Sequence, residues 1–247
     1  MSILVAIPVI KSSAIFRECL SQLVNKPDVT VLVLLNGADE DVRHLVKVEY
    51  ADNPSIIVWE NEVNEYVTKP WNRFIEYFLS RGEWDHLIIL NSDLTMCSRW
   101  NDICNSIWQF SPDAVLVPTT TDDKNLCFRD DVEDRGYKEH LFGAFGIPGI
   151  FITLNKKQAK FVYPIPSEIK VWFNDEWIYQ LLGAAGYPIY TVKSLWAYHH
   201  HSVSVGAVTG IHAIIEEDKI AWRDTGRPKL IARIEEIQQN KEDAGKI

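Results

Sequence analysis

Leu87-Ile88-Ile89-Leu90-Asn91-Ser92-Asp93 is the segment of this chain of 247 residues that says most about its architecture. Its four consecutive apolar residues predict a short strand that is buried on both faces. The strand runs directly into two polar residues and a carboxylate. Because ligands of open α/β sheets bind beyond the carboxyl ends of the strands, the stretch predicts both a central strand and a polar site at its end.

Three earlier segments share the apolar, β-branched character of this strand, and segments with helical spacing separate them. In chain order, the predicted strands and helices are Ile3–Pro8, Ala14–Leu23, Val29–Leu35, Asp41–Val48, Ile56–Glu60, Trp71–Ser80 and Leu87–Leu90. Strands that alternate with helices form a parallel sheet with right-handed crossovers. The first half of the chain therefore predicts an α/β fold with a mainly parallel central sheet flanked by helices.

The second half of the chain mixes regular elements with polar and glycine-containing segments. The predictions are a strand at Ala114–Pro118, a polar loop at Thr119–Glu139, a glycine-containing stretch at Phe142–Leu154, a helix at Asn174–Ala185 and a strand at Tyr187–Val192. Two amphipathic helices follow from Ala213 and are separated at Gly226-Arg227-Pro228. We expect a single domain over residues 1–210 and a C-terminal helical extension over residues 211–247.

The composition excludes several classes of protein. With 25 Lys and Arg against 34 Asp and Glu, the formal net charge is −9, which argues against a protein that coats duplex nucleic acid. A hydrophobic share of 47%, with nine Trp, nine Tyr and ten Phe, excludes a disordered chain. The composition leaves room for a small anionic ligand that a few local groups and a divalent metal would hold.

The N-terminus and the cysteine pattern favour a cytoplasmic protein. The first apolar run ends at Pro8 and lacks a basic segment, so it is not typical of a signal peptide. No stretch approaches the roughly 18 apolar residues of a membrane span. We therefore expect no integral membrane segment. The four cysteines form no CxxC pair, and we expect reduced thiols and no zinc site.

Polar residues follow the second, third and fourth predicted strands. These clusters are Asn36-Gly37-Ala38-Asp39, Asn61–Asn64 and Asn91-Ser92-Asp93. Each cluster alone is compatible with a simple turn, since Asn, Asp and Gly are turn formers. Three clusters in register predict a cleft that offers hydrogen bonds to a base and a ribose. The turn after the first strand lacks GxGxxG, which excludes a dinucleotide-binding site of the Rossmann type.

Two carboxylates and a histidine run carry the predicted chemistry. A carboxylate such as Asp93 at a strand end can hold Mg²⁺ or Mn²⁺, which would bridge diphosphate oxygens. Asn174-Asp175-Glu176 opens a helix, where it either caps the helix or presents Asp175 to the cleft as a general base. The run His199-His200-His201 is either a surface run or a source of a second metal ligand, and alternation in an extended chain lets only one or two of these histidines point inward.

Five motifs in this order resemble those of the inverting family-two glycosyltransferases of the GT-A fold, over roughly residues 2–204. The motifs are Val5-Ala6-Ile7-Pro8-Val9 at the first strand of that family, Leu35-Asn36-Gly37-Ala38-Asp39-Glu40-Asp41 at its nucleotide-binding turn, Asn64 and Asn72 in its N-x-G-x-x-x-A-x-N segment, Asn91-Ser92-Asp93 at its D-x-D motif, and Asn174-Asp175 ahead of Gly186-Tyr187 at its Glu-Asp pair. The histidines that follow resemble the late histidine of the family, which contacts metal or diphosphate.

The resemblance implies a cytosolic, non-processive hexosyl- or deoxyhexosyltransferase of the GT-A type, with a UDP- or dTDP-sugar as the expected donor and a hydroxyl acceptor. Asp175 would be the general base, with Glu176 as the fallback. Mn²⁺ or Mg²⁺ would be held by Asp93 with His199 or His200. The implied donor-binding residues are Pro8, Asn36, Asp39, Asn64, Asn72, Asn91, Ser92 and Asp93, and the implied acceptor-binding residues are Trp172, Gly149 and Trp177.

Three departures from the family pattern keep other functions open. Asn91 replaces the first Asp of the D-x-D motif, Asn174 replaces the Glu of the Glu-Asp pair, and Tyr66 replaces a glycine. The two asparagines favour an alternative in which the chain binds a nucleotide sugar without transferring it. A sugar-nucleotide pyrophosphorylase is a further alternative, but the turn after the first strand lacks the glycines that would bind a triphosphate.

Overall fold

The structure, a computed structural model, describes residues 1–128, 136–140, 147–200 and 210–244. Its strands are β1 (Ile3–Val9), β2 (Val29–Asn36), β3 (Ile56–Asn61), β4 (His86–Leu90), β5 (Leu94–Met96), β6 (Val115–Thr121), β7 (Tyr137–His140), β8 (Phe151–Asn155) and β9 (Ile189–His199). Its helices are α1 (Ser13–Leu23), α2 (Glu40–His44), α3 (Thr68–Ser80), α4 (Trp100–Phe110), α5 (Lys156–Val162), α6 (Asn174–Ala185), α7 (Ile211–Ala221) and α8 (Arg227–Ala244).

The predicted parallel sheet is confirmed and forms the centre of the fold. Five strands lie in the order β3-β2-β1-β4-β8, and the first four of these are parallel to one another. Val5 of β1 lies opposite Val31 on one side and Ile88 on the other. The β-branched and leucine residues of β1, β2 and β4 are buried on both faces, which explains why these strands are continuous apolar runs.

A second, smaller sheet is built around β9, and the sequence did not predict it. β9 pairs with β6 along one edge, and with β5 and β7 along the other edge. The strand was expected to end at Val192, but it continues to His199 because three other strands satisfy its backbone hydrogen bonds. A register shift between Pro118 and Thr119 adjusts β6 to this longer partner.

The segment predicted as a polar loop over Thr119–Glu139 contains regular structure where it is described. β6 extends to Thr121, a 3₁₀ turn spans Lys124–Phe128, and β7 begins at Tyr137. The loop prediction was therefore wrong at both ends of the segment, because pairing with β9 and not local composition decides those residues. Residues 129–135 of this segment and residues 141–146 of the glycine-containing stretch lie outside the described residues.

Local sequence explains where several helices begin and end. The side chain of Asn155 accepts from the backbone N–H of Gln158, and the Gln158 side-chain oxygen accepts from the backbone N–H of Asn155, which is a capping box at the start of α5. Helix α6 ends at Gly186, whose φ of 87° is the left-handed conformation that glycine adopts without a steric penalty. Helix α3 begins at Thr68, three residues earlier than the apolar spacing predicted.

Apolar side chains form a core on each face of the central sheet. Ile3, Val5 and Ile7 of β1 pack on the side of α1 and α4, whereas Leu4 and Ala6 pack on the side of α3, α5 and α6. This division follows directly from the alternation of side chains along a strand.

The C-terminal helices α7 and α8 belong to the same packed body as the sheet. Trp222, which follows α7, and Leu230 of α8 are buried in the apolar cluster that contains Trp177 and Ile178 of α6. The predicted helical extension thus contributes side chains to the core that positions α6. Within the described residues, no helix is long and apolar enough to cross a membrane.

Candidate active site

Asn36 shapes the loop at the carboxyl ends of β2 and β3. Its Nδ2 donates to Asn64 Oδ1 and to the Tyr66 carbonyl, both at 2.9 Å. Its Oδ1 accepts from Asn61 Nδ2 at 2.9 Å and from the Glu65 backbone N–H at 3.0 Å. A side-chain amide makes four hydrogen bonds at most, so Asn36 has no capacity left for a ligand. The loop therefore uses the whole side-chain amide of Asn36, and the donor contact of this residue stays a prediction.

Gly37 brings the backbone of this turn against the 61–66 loop. Its φ is +66°, and a Cβ at this position would lie 2.5 Å from the backbone N of Asn64. Only glycine fits both constraints. The close approach holds Asn64 beside the end of β2.

Asp39 and Asn64 each keep one polar group that the described residues do not use. Asp39 caps α2 through Oδ1, which accepts from the Val42 N–H at 3.1 Å. Asn64 uses Oδ1 for Asn36 and for the Tyr66 N–H at 2.8 Å. Within the described ranges, Asp39 Oδ2 and Asn64 Nδ2 have no hydrogen-bond partner, so one acceptor and one donor remain for a ligand at this end of the sheet.

Two other predicted donor residues, Asn72 and Pro8, have different surroundings. Asn72 Nδ2 donates to the Ile165 carbonyl at 2.9 Å, and its Oδ1 accepts from the Ile165 N–H at 2.8 Å. Its amide therefore joins α3 to the segment after α5, and we correct its predicted role to a structural one. Pro8 is half-buried in β1 opposite Leu34, near the end where the polar groups collect.

Asp93 meets His199 where β5 and β9 run antiparallel. Leu94 lies opposite His199 in this pairing, and the His200 N–H donates to the Asp93 carbonyl at 3.0 Å. The side chains of Asp93 and His199 face each other, with Asp93 Oδ1 3.3 Å from His199 Nε2. Asp93 and the neighbouring Ser92 are buried. The site thus presents a buried carboxylate and an imidazole nitrogen at one point.

His200 points away from Asp93 into a different hydrogen-bond network. Its Nε2 lies 3.1 Å from the Thr95 hydroxyl, which donates to Glu18 Oε1 at 2.6 Å. Burial lowers the pKa of His200, and the nearby Lys124 ammonium lowers it further. The structure brings His199 and not His200 into contact with the Asp93 carboxylate, as alternate side chains of an extended chain point in opposite directions, and the metal-ligand role of either histidine stays a prediction. His201 lies outside the described residues.

Asp175 is held at the start of α6 by two backbone N–H groups. Its Oδ2 accepts from Gly149 at 3.0 Å and its Oδ1 accepts from Glu176 at 2.9 Å. Burial raises the pKa of the Asp175 carboxyl above its usual value, and the two hydrogen bonds offset only part of this effect. A Cβ on Gly149 would lie 2.6 Å from Asp175 Cβ, so this glycine permits the contact. Gly149 was predicted to bind the acceptor, but the structure shows it supporting Asp175.

Backbone contacts connect Asp175 to the strand end that carries Asp93. Gly149, which donates to Asp175, is followed by Ile150, whose carbonyl accepts from the Asn91 N–H at 3.0 Å. Asn91 and Ser92 form the turn from β4 to Asp93. These contacts place the support of Asp175 beside the carboxyl end of β4, the end of the sheet at which Asp93 lies.

Asn174 and Glu176, the neighbours of Asp175, have different environments. Asn174 is buried, and its Oδ1 lies 2.6 Å from the Thr68 hydroxyl while its Nδ2 donates to the Val171 carbonyl at 2.9 Å. An asparagine suits this position because it offers both a donor and an acceptor. Burial raises the pKa of Glu176, and the charge of Asp175 raises it further.

The two tryptophans that were predicted to bind the acceptor differ completely in exposure. Trp172 is 45% exposed and lies three residues before Asp175. Trp177 is 2% exposed, packs in the core, and donates from Nε1 to the Val162 carbonyl at 2.9 Å. The prediction for Trp177 was wrong, because it lies on the core face of α6.

Asp218 is a functional candidate that the sequence analysis missed. It is completely buried on α7 and accepts hydrogen bonds from backbone N–H groups in the segment before α6. The available signal was its spacing, since Ile211, Ile214, Asp218 and Trp222 occur at helical intervals and form the buried face of this helix. A carboxylate within an apolar helix face indicates a specific partner.

The donor types at Asp93 and His199 fit a divalent metal. Carboxylate oxygens suit Mg²⁺ and Mn²⁺, whereas imidazole nitrogens bind transition-metal ions, so this mixed pair fits Mn²⁺ better than Mg²⁺. In the described part of the chain, no group of three or more His, Cys, Asp or Glu side chains could hold a metal. Water and ligand oxygens would therefore have to complete the coordination.

A large cavity in the described structure lies apart from these strand ends. It has a volume of about 510 Å³ and lies between α4 and the first half of β9. Ile103 and Phe110 on one side and Tyr137 and Tyr190 on the other line this cavity. None of the predicted site residues lines it, so the chemistry described above does not depend on it.

The described fold is similar to those of several solved glycosyltransferase structures. The crystal structure of TarS 1–349 from S. aureus matches with a TM-score of 0.61 and 14% identity, over 91% of this chain and 73% of that chain. GalNAc-T7 with UDP, GalNAc and Mn²⁺ matches with a TM-score of 0.60 and 11% identity, over 90% of this chain and 49% of that chain.

A mannosyltransferase with a different nucleotide sugar has a similar fold as well. PcManGT from Pyrobaculum calidifontis, in complex with GDP-Man and Mn²⁺, matches with a TM-score of 0.57 and 13% identity, over 96% of this chain and 68% of that chain. No protein-family model matches the sequence, and a comparison with curated protein sequences finds no match. The structural similarities show that this chain has the GT-A fold.

Proposed function

We propose that this GT-A-fold chain is a glycosyltransferase that moves a sugar from a nucleoside-diphosphate donor to an acceptor hydroxyl with inversion. The observation that carries the proposal is the pair of sites at one end of the sheet. On one side Asp93 faces His199, and on the other side Gly149 holds the buried Asp175. The nucleotide sugars and Mn²⁺ named for structures of the same fold support this assignment.

The nucleotide would lie along the ends of β1, β2 and β3. Asn64 Nδ2 and Asp39 Oδ2 are the donor and the acceptor that remain there for a base and a ribose, and Pro8 and Asn91 border the same end. Asn36 and Gly37 keep these groups in place. Asp93 and His199 would hold a divalent cation, which would offset the negative charge of the departing diphosphate.

Asp175 would act as the general base of a single displacement. Its carboxylate takes the proton of the acceptor hydroxyl, the acceptor oxygen bonds to the anomeric carbon, and the bond from that carbon to the diphosphate oxygen breaks with its electron pair. The attack comes from the face opposite the leaving group, which inverts the anomeric configuration. Burial raises the pKa of Asp175, and a more basic carboxylate accepts the proton more readily.

The support from Gly149 favours Asp175 over Glu176 as the base. A base must be held in one geometry to act efficiently. Asp175 is fixed through both oxygens, whereas the structure shows no hydrogen bond to the Glu176 carboxylate within the described residues. Trp172, exposed three residues earlier, offers the acceptor an apolar surface close to this base.

The pH dependence of turnover tests whether a buried carboxylate such as Asp175 is the base. The base must be ionised to accept a proton, so turnover falls as the pH drops through its pKa. Because burial raises the pKa of Asp175, we expect the acid limb of kcat/KM to lie at a higher pH than that of an ordinary exposed Asp. Stopped assays of released diphosphate between pH 4 and pH 9 measure this limb; a flat profile down to pH 4 would contradict the assignment.

A specific observation also favours a non-catalytic nucleotide-sugar-binding protein. Asn91 stands at a position where a second carboxylate would strengthen metal binding, so Asp93 is the carboxylate of this turn. Hydrolysis of the donor in the absence of acceptor separates the two functions. An enzyme releases the nucleoside diphosphate slowly with water as the acceptor, whereas a binding protein releases none.

Thermal stability in the presence of nucleotide sugars tests the donor class. A ligand at 100 times its Kd stabilises the folded state by about 2.7 kcal/mol, which in a chain of this size raises the Tm by roughly 5–10 °C. We expect a Tm shift of this size with a UDP- or dTDP-sugar and Mn²⁺. The shift should be smaller when EDTA replaces Mn²⁺, and smaller when a GDP-sugar with Mn²⁺ replaces the UDP- or dTDP-sugar. If no nucleotide sugar raises the Tm with or without Mn²⁺, the proposed function is wrong.

A further inference from the structure

Residues 170–172, which come shortly before Asp175, are held by the buried carboxylate of Asp218 in the C-terminal helix α7. Asp218 Oδ1 accepts from the Lys170 N–H at 2.8 Å. Its Oδ2 accepts from the N–H groups of Val171 at 2.6 Å and Trp172 at 2.9 Å. Three consecutive backbone N–H groups therefore donate to one carboxylate. Asp175 follows the last of these residues, Trp172, by three positions.

This arrangement suits a side chain whose two polar atoms both accept hydrogen bonds. Asp218 has an exposed fraction of 0% and lies on the buried face of α7 together with Ile211 and Ile214. A buried polar group is costly unless hydrogen bonds satisfy it, and here three backbone N–H groups do so. A neutral side chain of the same size would place an N–H₂ group against at least one of these donors.

Other contacts hold the same segment from the opposite side. The N–H groups of Val67 and Thr68 donate to the Lys170 carbonyl at 2.9 and 3.0 Å, and the Thr68 hydroxyl contacts the Ile169 carbonyl and Asn174 Oδ1. The start of α3 and the middle of α7 thus clamp residues 169–174 between them.

The same segment contains a residue, Phe173, with an unfavourable backbone conformation that needs such support. Phe173 has a φ of 70°, which is unfavourable for a residue with a Cβ. Its ring stacks on Trp222 at a centroid distance of 5.1 Å, with the ring planes 1° apart. Trp222 follows directly after α7. Asp218 of α7 therefore holds the backbone before Phe173, and the residue that follows the same helix packs against the Phe173 ring.

We propose that Asp218 is a positioning residue for catalysis, which fixes the 170–173 segment so that Asp175 and Trp172 are held in place for the acceptor. The inference rests on the proposed function. It gives the C-terminal helices a role in the reaction, although neither touches the donor side. Asp218 acts through the backbone and does not contact substrate.

Asp218→Asn tests this role, with Glu217→Gln as the matched control. Glu217 is on the same helix and contacts the same residue, but only through an exposed ion pair with Lys170 Nζ at 2.7 Å, which contributes little. We expect Asp218→Asn to lower kcat for donor hydrolysis by roughly 10- to 100-fold, because small misplacements of catalytic groups have effects of this size. The Kd of the donor should stay within about two-fold, and Glu217→Gln should resemble the native protein.

Amide hydrogen exchange provides a readout that does not depend on activity. In the native protein, the amides of Lys170, Val171 and Trp172 should exchange slowly, and Asp218→Asn should accelerate them selectively. Fast exchange of all three in the native protein overturns the proposal, even if no variant folds. Accelerated exchange with an unchanged kcat also overturns it, provided that Asp175→Asn abolishes hydrolysis. If the native protein releases no nucleoside diphosphate, the proposed function has failed instead, and if native protein and Asp175→Asn release it equally, the assignment of Asp175 as the base has failed.

Discussion

Replacing Asp175 by asparagine is expected to reduce donor turnover by a factor of about 10²–10⁴, which is the range over which general bases contribute. Asparagine matches aspartate in size, and its one carbonyl oxygen can keep the hydrogen bond from the Gly149 N–H while the bond from the Glu176 N–H and the proton acceptor are lost. In the proposed function Asp39, Asn64 and Asp93 hold the nucleotide and Asp175 does not, so the affinity for the nucleotide should remain within about two-fold. Release of nucleoside diphosphate and calorimetric titration with the donor measure the two effects separately.

Glu176→Gln is the discriminating comparison for this experiment. Glu176 is adjacent in sequence, and burial also raises its pKa, but no backbone group of the described chain fixes its carboxylate. We expect its replacement to reduce turnover much less than that of Asp175. Near-normal turnover of Asp175→Asn, with a large loss in Glu176→Gln, would move the base to Glu176. Loss of nucleotide binding in Asp175→Asn would instead show that Asp175 supports the donor site.

Replacing Asp93 by alanine is expected to weaken Mn²⁺ binding at least about 100-fold, since changes in residues that only orient a metal ligand already cost 10- to 100-fold. Asp93 is the buried carboxylate of the candidate metal site, with its Oδ1 3.3 Å from His199 Nε2. Nucleotide affinity should fall with it and should lose its dependence on Mn²⁺. Calorimetry with the nucleoside diphosphate, with and without Mn²⁺, measures both effects.

Two further variants define the metal site. His199→Ala should weaken Mn²⁺ binding in the same direction, because it removes the second ligand. Asp102→Asn removes an exposed carboxylate in the first turn of α4, and it should leave Mn²⁺ and nucleotide binding unchanged. If Asp93→Ala keeps the native Mn²⁺ dependence, Asp93 is not a ligand, and the metal or its binding site must be assigned elsewhere.

Much of the central sheet follows from local sequence. Strands β1, β2 and β4 are apolar runs because both of their faces are buried, and such runs are visible without any knowledge of their neighbours. The order of strands and helices then leaves little choice of topology, since parallel crossovers are right-handed. The motifs at the strand ends were placed at one edge for the same reason.

The roles of individual polar residues at that edge were less accessible to sequence reasoning. Asn36 and Asn64 belong to the same cluster in space and look equivalent in sequence. The structure shows that the loop uses all four hydrogen bonds of Asn36 but leaves Asn64 Nδ2 without a partner in the described chain. This difference depends on which residues surround each amide, and no local pattern encodes it.

Burial periodicity and strand order are local properties of the chain, and they were enough to predict the parallel sheet, the edge at which polar groups collect, and Asp93 and Asp175 as candidates for chemistry. The contact of His199 with Asp93, the core position of Trp177 and the hydrogen bonds that Asp218 accepts from the segment before Asp175 became visible only in the folded chain. The physical reason is that these roles arise from antiparallel register and helix packing between residues up to 106 positions apart, as for Asp93 and His199 across the β5–β9 pair and Thr68 and Asn174 at the start of α6.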